Sequence, residues 1–509
     1  MDRTPPTIVG HWPGSEQTEV PVDSEIFVEF SEKMDRRFTG SAIFVAPRTS
    51  LRLKWRGHRL EAHIGRLQPA QTYVVTVGAD ARDMRGNLLG ASYSFAFATG
   101  TGLDRRGLKG TVFEEGRPVS AASVWIHDLR HFNGKLGSDL PDYETRTSRE
   151  GKFEFTHLSP GRFLVIAFRD ENRNLKRDSN EARALPPKIY DLSHHEEVQI
   201  VDLLMEYSPR EVSRLNRVQA LDKTKLLLEF NRKVKPENVI VEINDLPIVA
   251  KYQTLKDAKR LYVITTDQKG GVRYHFEKLV VDGLTVEWNE SWRSSERKDR
   301  KPPSVEAVFP SGVCTRSDSI TILFDEAMDT TRIPGLHFWK QSDSLDALDG
   351  IWKWETSTRL VLIPSEEFDL GIYSLQGQLG QLADRAGLAP TDPLVELNFQ
   401  VTDFKDLPVV SGIVTARGLS TKGKILVTAQ NLTDAKIFRT SPDSTGAYEL
   451  SQMLPGKYSI MAFIDQNNNF APDVGAFEPL TLAETVSIRP ETVILDVNQN
   501  VANIDFELR

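Results

Sequence analysis

Short runs in which apolar and polar residues alternate recur along the chain. In the clearest run, Ile26, Val28 and Phe30 occupy every second position. Two further runs, rich in β-branched and aromatic residues, occupy 73–77 and 92–99. A period of two predicts strands that place one face on a core and the other in water. The first hundred residues are therefore predicted to form a β-sandwich.

The features of these first hundred residues return, in the same order, from 301 to about 402. They are the proline pairs Pro5-Pro6 and Pro302-Pro303, the strand ends Met34-Asp35 and Met328-Asp329, and the glycine turns 83–86 and 384–387. A weaker copy lies between about 209 and 301. There Leu226, Leu228 and Phe230 alternate, and Val234 stands in place of the methionine. We expect two copies of one domain and a third, diverged copy.

A different segment is duplicated around a polar loop. The apolar run 163–168 leads into an Asp- and Asn-rich loop, and a similar loop follows 295 residues later. The same step relates Gly151 to Gly446 and Pro160 to Pro455. The whole surrounding segment is therefore duplicated, and not the loop alone. We expect each loop to follow a strand, with Phe163, Val165 and Ala167 on one face of the first.

Oxygen donors occupy the first, third, fifth, ninth and twelfth places of the loop 170–181, and the seventh residue offers its carbonyl. This is the spacing by which a twelve-residue loop surrounds Ca²⁺. The predicted ligands are Asp170, Asn172, Asn174, Lys176, Asp178 and Glu181. Leu175 stands at the sixth place, where such loops carry Gly. The alternative is an Asx-turn loop whose side chains bond backbone N–H groups without a metal.

The second loop keeps the first four side-chain donors but has Ala476 at the twelfth place. Loss of a bidentate Glu removes two of the 6–8 oxygens that Ca²⁺ takes. Glu478, two residues later, is the candidate replacement. The predicted ligands are Asp465, Asn467, Asn469, Asp473 and Glu478. We expect calcium at the first loop and leave both alternatives open at the second.

Charge and cysteine content narrow the classes of function. A formal net charge of -8 argues against a nucleic-acid partner. The basic run 293–301 precedes two prolines and is interpreted as a solvated linker. Cys314 is the single cysteine, so an intramolecular disulfide is excluded. The sequence has no apolar run near 18 residues and no signal peptide, so we expect a soluble monomer that meets a membrane only through a lipid anchor removed before residue 1.

The proline opening, the Met-Asp strand end and the late glycine turn resemble the bacterial Ig-like domains first described in surface-layer proteins. The two loop segments, with the stretches 158–163 and 453–458, are similar to carboxypeptidase-regulatory, transthyretin-like domains, which are small seven-stranded sandwiches. These resemblances imply an all-β fold, an elongated tandem array of Ig-like and transthyretin-like β-sandwich domains that forms a rod or arc. The predicted domains are 1–102 (Ig-like), 103–206 (transthyretin-like), 207–301 (Ig-like, diverged), 302–403 (Ig-like) and 404–509 (transthyretin-like).

The resemblance also implies an exported protein of the cell surface or periplasm, often tethered as an outer-membrane lipoprotein. The sequence has no nucleophile elbow or phosphate-binding loop, and a string of sandwiches offers no single deep cleft. We expect a non-catalytic structural or adhesive scaffold, stiffened by calcium, with other surface proteins or glycans as partners. The alternative is a carbohydrate-binding or accessory module of a secreted hydrolase. Trp352 and Trp354 share one face of a predicted strand and are its first candidates to stack on sugar rings.

Overall fold

The structure is a computed structural model, and almost all of its regular structure is β-strand. It describes residues 4–78, 81–90, 92–132, 140–170, 181–194, 197–207, 213–310, 312–333, 335–340, 350–416, 423–433, 435–477, 479–497 and 499–509. The predicted all-β class, a tandem array of β-sandwiches, is confirmed. We call the five predicted ranges the first to fifth segments. No helix in the described part of the chain is long and apolar enough to span a membrane.

The first segment has a four-stranded and a three-stranded sheet. Its strands are β1 (Ile8–Trp12), β2 (Ile26–Phe30), β3 (Ile43–Ala46), β4 (Leu51–Arg56), β5 (Arg59–Ile64), β6 (Thr72–Val77) and β7 (Tyr93–Ala98). The sheets have the orders β1-β2-β5-β4 and β3-β6-β7. Ile26, Val28 and Phe30 enter the core, as their alternation predicts. Helix α1 (Arg36–Ser41) begins after Asp35, whose side chain accepts hydrogen bonds from two backbone N–H groups of its first turn.

The second segment also consists of two sheets. Its strands are β8 (Arg106–Glu114), β9 (Arg117–Pro118), β10 (Ser123–Asp128), β11 (Tyr143–Arg146), β12 (Lys152–Leu158), β13 (Arg162–Phe168), β14 (Arg183–Ala184), β15 (Tyr190–Asp191), β16 (Val198–Ile200) and β17 (Leu203–Leu204). One sheet has the order β11-β10-β13-β14, with β15 also paired to β13. The other has the order β12-β8-β16, with β9 and β17 also paired to β8. The last strands, β16 and β17, run parallel to β8.

The third and fourth segments repeat the first sheet of the first segment. The third contains β18 (Leu215–Ala220), β19 (Lys225–Phe230), β20 (Val239–Ile243), β21 (Ile248–Tyr252), β22 (Arg260–Thr265), β23 (Arg273–Tyr274), β24 (Phe276–Val281), β25 (Leu284–Thr285) and β26 (Trp292–Arg293), and a short 3₁₀ helix, Pro236–Asn238. The fourth contains β27 (Val305–Phe309), β28 (Val313–Cys314), β29 (Ile320–Phe324), β30 (Gly335–Lys340), β31 (Gly350–Thr356), β32 (Arg359–Pro364), β33 (Gly371–Gln378) and β34 (Leu394–Val401). Their sheets β18-β19-β22-β21 and β27-β29-β32-β31 have the connectivity of β1-β2-β5-β4.

The buried residue that follows β2 in the first segment, Met34, has counterparts in the third and fourth segments. Met34, Val234 and Met328 are all buried after β2, β19 and β29. The smaller valine fills the methionine's place, so the third segment keeps the sheet even where its sequence has diverged. In the third segment the remaining strands pair as β20-β24-β25 and β23-β26, and in the fourth as β28-β34-β33-β30.

The fifth segment follows a short 3₁₀ helix, Phe404–Asp406, and repeats the sheets of the second. Its strands are β35 (Val409–Ala416), β36 (Lys424–Asn431), β37 (Ile437–Thr440), β38 (Ala447–Leu450), β39 (Gly456–Asp465), β40 (Ala476–Phe477), β41 (Leu480–Thr481), β42 (Val486–Ile488), β43 (Val493–Leu495), β44 (Asn500–Val501) and β45 (Phe506–Leu508). The sheets are β37-β36-β39-β42, with β43 on β39, and β38-β35-β44, with β45 on β35. The small hairpin β40-β41 has no counterpart among the described residues of the second segment.

Strand β13 is buried on both faces. Phe163, Val165 and Ala167 lie in the core of the second segment, on one face as predicted. The alternate residues Leu164, Ile166 and Phe168 pack in another cluster, which includes Phe477 of the fifth segment. Burial on both faces explains why 163–168 is a continuous apolar run.

The fifth segment therefore packs against the second. A further cluster joins Phe113 and Leu204 of the second segment to Val474 and Ile488 of the fifth. The hydroxyl of Ser459 also donates a hydrogen bond of 3.1 Å to the carbonyl of Gly116.

Candidate metal site

The first loop lies largely outside the described residues. Asn172, Asn174, Lys176 and Asp178 are among the positions that are not described. At the ends of the loop, Asp170 is half-buried and Glu181 is only 2% exposed. The two described ends place acidic residues after β13 and before β14, and the calcium assignment of this loop stays a prediction.

The second loop brings four of its five predicted ligands together. Asp465 is the last residue of β39 and is 1% exposed. The side-chain amides of Asn467 and Asn469 donate to the two carboxylate oxygens of Asp473, at 2.6 Å and 3.3 Å. Glu478, the fifth predicted ligand, lies outside the described residues. The spacing read from the sequence thus corresponds to one compact group of oxygen donors.

Backbone N–H groups also point at this group. The carboxylate of Asp465 accepts from Asn469 N at 3.3 Å and from Phe470 N at 3.0 Å. The side-chain oxygen of Asn467 accepts from Asn469 N at 3.0 Å. These are the contacts of the metal-free Asx-turn alternative. These hydrogen bonds leave carboxylate lone pairs available to a cation, because an ionised carboxylate offers about four lone-pair sites.

Glu484 belongs to the same group, although sequence reasoning did not identify it. Its carboxylate accepts from Gln466 N at 2.6 Å and from Asp473 N at 3.0 Å. It ties the two ends of the loop together and is 4% exposed. Among the described residues, the group therefore contains three carboxylates, those of Asp465, Asp473 and Glu484.

Strand register identifies Glu484 as the counterpart of Glu181. In the second segment Phe168 pairs with Arg183, and in the fifth Phe463 pairs with Val486. Each glutamate lies two residues before the paired residue that follows its loop. By strand pairing, Glu484 and not Ala476 therefore occupies the position that Glu181 has in the second segment. The acid is retained, and the hairpin β40-β41 is inserted before it.

Burial raises the pKa of Glu484, and the carboxylates of Asp473 and Asp465 raise it further. Ionised, the three carboxylates repel one another in a site largely removed from water. Carboxylate and carboxamide oxygens are the ligands of hard cations such as Ca²⁺. The donors of the second loop therefore fit calcium.

The inserted hairpin lies against the second segment. Phe477 of β40 packs among Trp125, Ile166 and Leu185, and its ring also faces the guanidinium of Arg183 at 4.9 Å. The backbone of the same stretch donates from Ala483 N to the carbonyl of Pro186 at 3.1 Å. The donor group and the contact between the second and fifth segments thus share one stretch of chain.

The two tryptophans that suggested carbohydrate binding contribute to packing within the fourth segment. Trp352 and Trp354 pack on the cores of the fourth segment. The indole N–H of Trp354 donates to the carbonyl of Arg332 at 2.8 Å, and its ring lies 5.6 Å from that of Phe324. Both indoles remain partly exposed.

Asp202 lies at the other end of the contact between the second and fifth segments. It lines a small cavity together with Val486 and Arg509 and accepts a hydrogen bond from Thr111 N at 3.2 Å. Burial raises the pKa of Asp202 to about 6. An ionised carboxylate is therefore disfavoured in the folded protein.

This raised pKa predicts the direction of a pH effect. The folded state takes up a proton at Asp202 as pH falls from about 6 towards the unfolded value near 4. The destabilising contribution is thus present above pH 6 and lost as pH falls towards 4. We expect Asp202→Asn to stabilise the protein by about 1 kcal/mol near pH 7.5 and by less near pH 4.5, measured by chemical denaturation.

Asp191→Asn is the matched control. A hydrogen bond from the backbone N–H of Ser193 lowers the pKa of Asp191, so its ionised form favours folding above the unfolded pKa and that contribution is lost on acidification. This variant should not gain stability near pH 7.5. Equal effects of the two substitutions would contradict the assignment of Asp202.

Comparison with known proteins gives a limited match. The surface layer protein SbsC, domains 1–6, aligns with 98% of this chain and 68% of its own, at 10% identity and a TM-score of 0.16. The TIE protein of Bacillus anthracis aligns with 99% of this chain and 75% of its own, at 8% identity and a TM-score of 0.18. Such low scores carry no argument about arrangement or function.

The major pilin subunit BcpA of Bacillus cereus aligns with 80% of this chain and 100% of its own, at 9% identity and a TM-score of 0.15. No curated protein matches the chain in sequence. Residues 2–99 match the family of bacterial Ig-like domains. That match covers the first segment. The sequence motifs of this segment had indicated the same resemblance to bacterial Ig-like domains.

Proposed function

We propose that the chain is a non-catalytic structural scaffold of the bacterial cell surface. Calcium bound by the second loop stiffens the contact between its second and fifth segments. The main support for this proposal is that one stretch of chain contains both the oxygen donors and the contact with the second segment. Asp473 and Glu484 border the hairpin whose Phe477 packs on the second segment.

Calcium would act on both features at once. Asp465, Asp473 and Glu484, with Asn467 and Asn469, would hold the ion, and the ion would supply the positive charge that three neighbouring carboxylates lack. Holding 465–473 close to Glu484 also fixes both ends of the inserted hairpin. A bound ion would therefore restrict the motion of the hairpin against the second segment.

The architecture supports a scaffold. The chain is a series of β-sandwiches, and its first segment matches the bacterial Ig-like family. We assign the second and fifth segments to the transthyretin-like class, because both place their last strands parallel to their first. Such modules present surfaces and not a deep cleft, which favours support or adhesion over catalysis.

The location and partners follow from the same proposal. We infer an exported protein that reaches the cell surface or periplasm and is held there as a lipoprotein. Its partners would be other surface proteins or glycans, and it would act as a monomer.

The calcium part is tested by substitution at the second loop. With a Kd of about 10⁻⁴–10⁻³ M, a few millimolar CaCl₂ should stabilise the wild-type protein by about 0.5–2 kcal/mol relative to chelator. Glu484→Gln and Asp465→Asn should each remove most of the effect contributed by this loop. The measurement is the melting temperature in CaCl₂ and in chelator.

Glu491→Gln is the control, since Glu491 is exposed and lies away from the donors. It should keep the wild-type response. Identical wild-type curves in CaCl₂ and chelator would show that the loop is an Asx-turn structure without a metal.

A further inference from the structure

A second group of acidic residues lies where the third and fourth segments meet. Asp222 and Asp299 come from the third segment, Asp299 from its C-terminal end, and Glu326 and Asp384 come from the fourth. Asp222, Glu326 and Asp384 are buried and Asp299 is half-buried. The sequence had indicated only a solvated linker here, but that linker supplies one of the carboxylates.

An apolar contact holds the same joint together. Tyr252 and Ile264 of the third segment pack with Ala327, the residue after Glu326. The rings of Tyr252 and Tyr262 are stacked, with centroids 5.0 Å apart. The acidic group is therefore enclosed by packed side chains from both segments, and water has little access to it.

One ammonium group faces three of the four carboxylates. Lys225 Nζ donates to Asp299 at 2.6 Å and to Glu326, and it lies 3.6 Å from Asp222. Lys301, which is nearby, pairs with Asp325 at 2.8 Å. The joint thus holds more negative than positive charge among the described residues, and buried charge without a partner is costly.

Asp384 shows where the unmatched charge lies. Its Oδ1 accepts from the backbone N–H groups of Ala386 and Leu388, both at 2.8 Å. Its Oδ2 is buried and has no hydrogen-bond partner. One carboxylate oxygen each of Asp384, Asp299 and Glu326 lie within 4.8 Å of one another.

The first segment shows what the same turn looks like when it is complete. Asp83 accepts from Arg85 N and Asn87 N through Oδ1, and the side-chain amide of Asn87 donates to its Oδ2 at 2.7 Å. Leu388 stands at the position of Asn87 in the fourth segment. The turn keeps its backbone contacts but loses the side-chain donor, in the copy where the aspartate adjoins two other carboxylates.

We propose that this joint is a binding site for a divalent cation, with Ca²⁺ as the expected ion and Asp299, Glu326 and Asp384 as its carboxylate ligands. Oxygens on opposite sides of Ca²⁺ lie about 4.6–5.2 Å apart, because each lies about 2.3–2.6 Å from the ion. The three oxygens lie within 4.8 Å of one another, which is compatible with this range. Since the ligands come from both segments, the ion would fix the angle between them.

Lys225 is the competitor for the site. Its ammonium donates to two of the three proposed ligands and repels a cation. Calcium binding therefore requires Lys225 to turn away from at least one carboxylate. This site is independent of the loop in the fifth segment, and either can exist without the other.

The test is calorimetric titration of the full chain with CaCl₂. A double variant, Asp170→Asn with Asp465→Asn, should retain binding at the joint. Adding Asp384→Asn to it should abolish that binding, while circular dichroism shows an unchanged fold. The proposal would be overturned if the loop double variant showed no heat of binding. It would also be overturned if heat of binding remained after Asp384→Asn was added.

Lys225→Gln gives a second test, in which calcium binding is expected to become tighter and not to be lost. In the same loop variant it should tighten Ca²⁺ binding at the joint at least tenfold and lower the melting temperature in chelator. If Lys225 only completes an ion-pair network, Lys225→Gln will lower the melting temperature and calcium will not restore it. That result would also overturn the proposal.

Discussion

Gly110→Ala is expected to unfold the second segment or to destabilise it by at least about 3 kcal/mol. A Cβ at this position would lie 1.6 Å from the carbonyl oxygen of Val201 and 2.6 Å from its carbonyl carbon. Val201 N donates to Lys109 O at 2.9 Å, which holds the two backbones together. The clash is with backbone, so a side-chain rotation cannot relieve it, and overpacking of this kind costs about 1–3 kcal/mol or more.

The duplicated segment provides an internal repeat of this experiment. A Cβ at Gly412 would lie 2.1 Å from the carbonyl oxygen of Ile504, so Gly412→Ala should damage the fifth segment in the same way. Gly65→Ala is the control, because no heavy atom lies within 4 Å of its Cβ position. It should change stability by no more than about 0.5 kcal/mol. Denaturation midpoints measure all three, and wild-type stability of Gly110→Ala would contradict the close approach.

Phe477→Ala is expected to release the fifth segment from the second. The Phe477 ring lies in a cluster whose other buried members belong to the second segment. Truncating a buried Phe costs about 3–5 kcal/mol. This loss falls on the contact between segments and not on a segment's own core, so both segments should remain folded. A loss of about 3 kcal/mol corresponds to a shift of roughly 100-fold in the docking equilibrium.

Small-angle X-ray scattering measures this release. Phe477→Ala should increase the maximum dimension of the particle, since the fifth segment is no longer held against the second. Phe470→Ala is the control, because Phe470 is 51% exposed. Its scattering should match that of the wild type. An unchanged profile for Phe477→Ala would mean that other contacts hold the segments together.

Features that depend on neighbours in sequence were predicted well. A strand with one buried face imposes a period of two, so Ile26, Val28 and Phe30 could be placed on a core without a structure. The spacing of Asp465, Asn467, Asn469 and Asp473 predicted a compact loop for a similar reason. All four lie within a short stretch, 465–473, and the hydrogen bonds among them involve no distant segment.

Features that depend on distant contacts were missed. Glu484 joins its loop through the pairing of Phe463 with Val486, and the inserted hairpin hides that relation from a count along the chain. The apolar run 163–168 did carry a signal of burial on both faces, but a sequence cannot show which surface covers the second face. The acidic joint at Asp384 likewise combines residues from two segments.

Hydrogen–deuterium exchange of the full chain in CaCl₂ and in chelator tests the central claim most directly. If calcium at the second loop stiffens the contact, exchange should slow in 465–473 and around Glu484, and also across the contact in 162–168. Glu484→Gln should remove both effects. Equal exchange rates with and without calcium throughout these ranges would contradict the account.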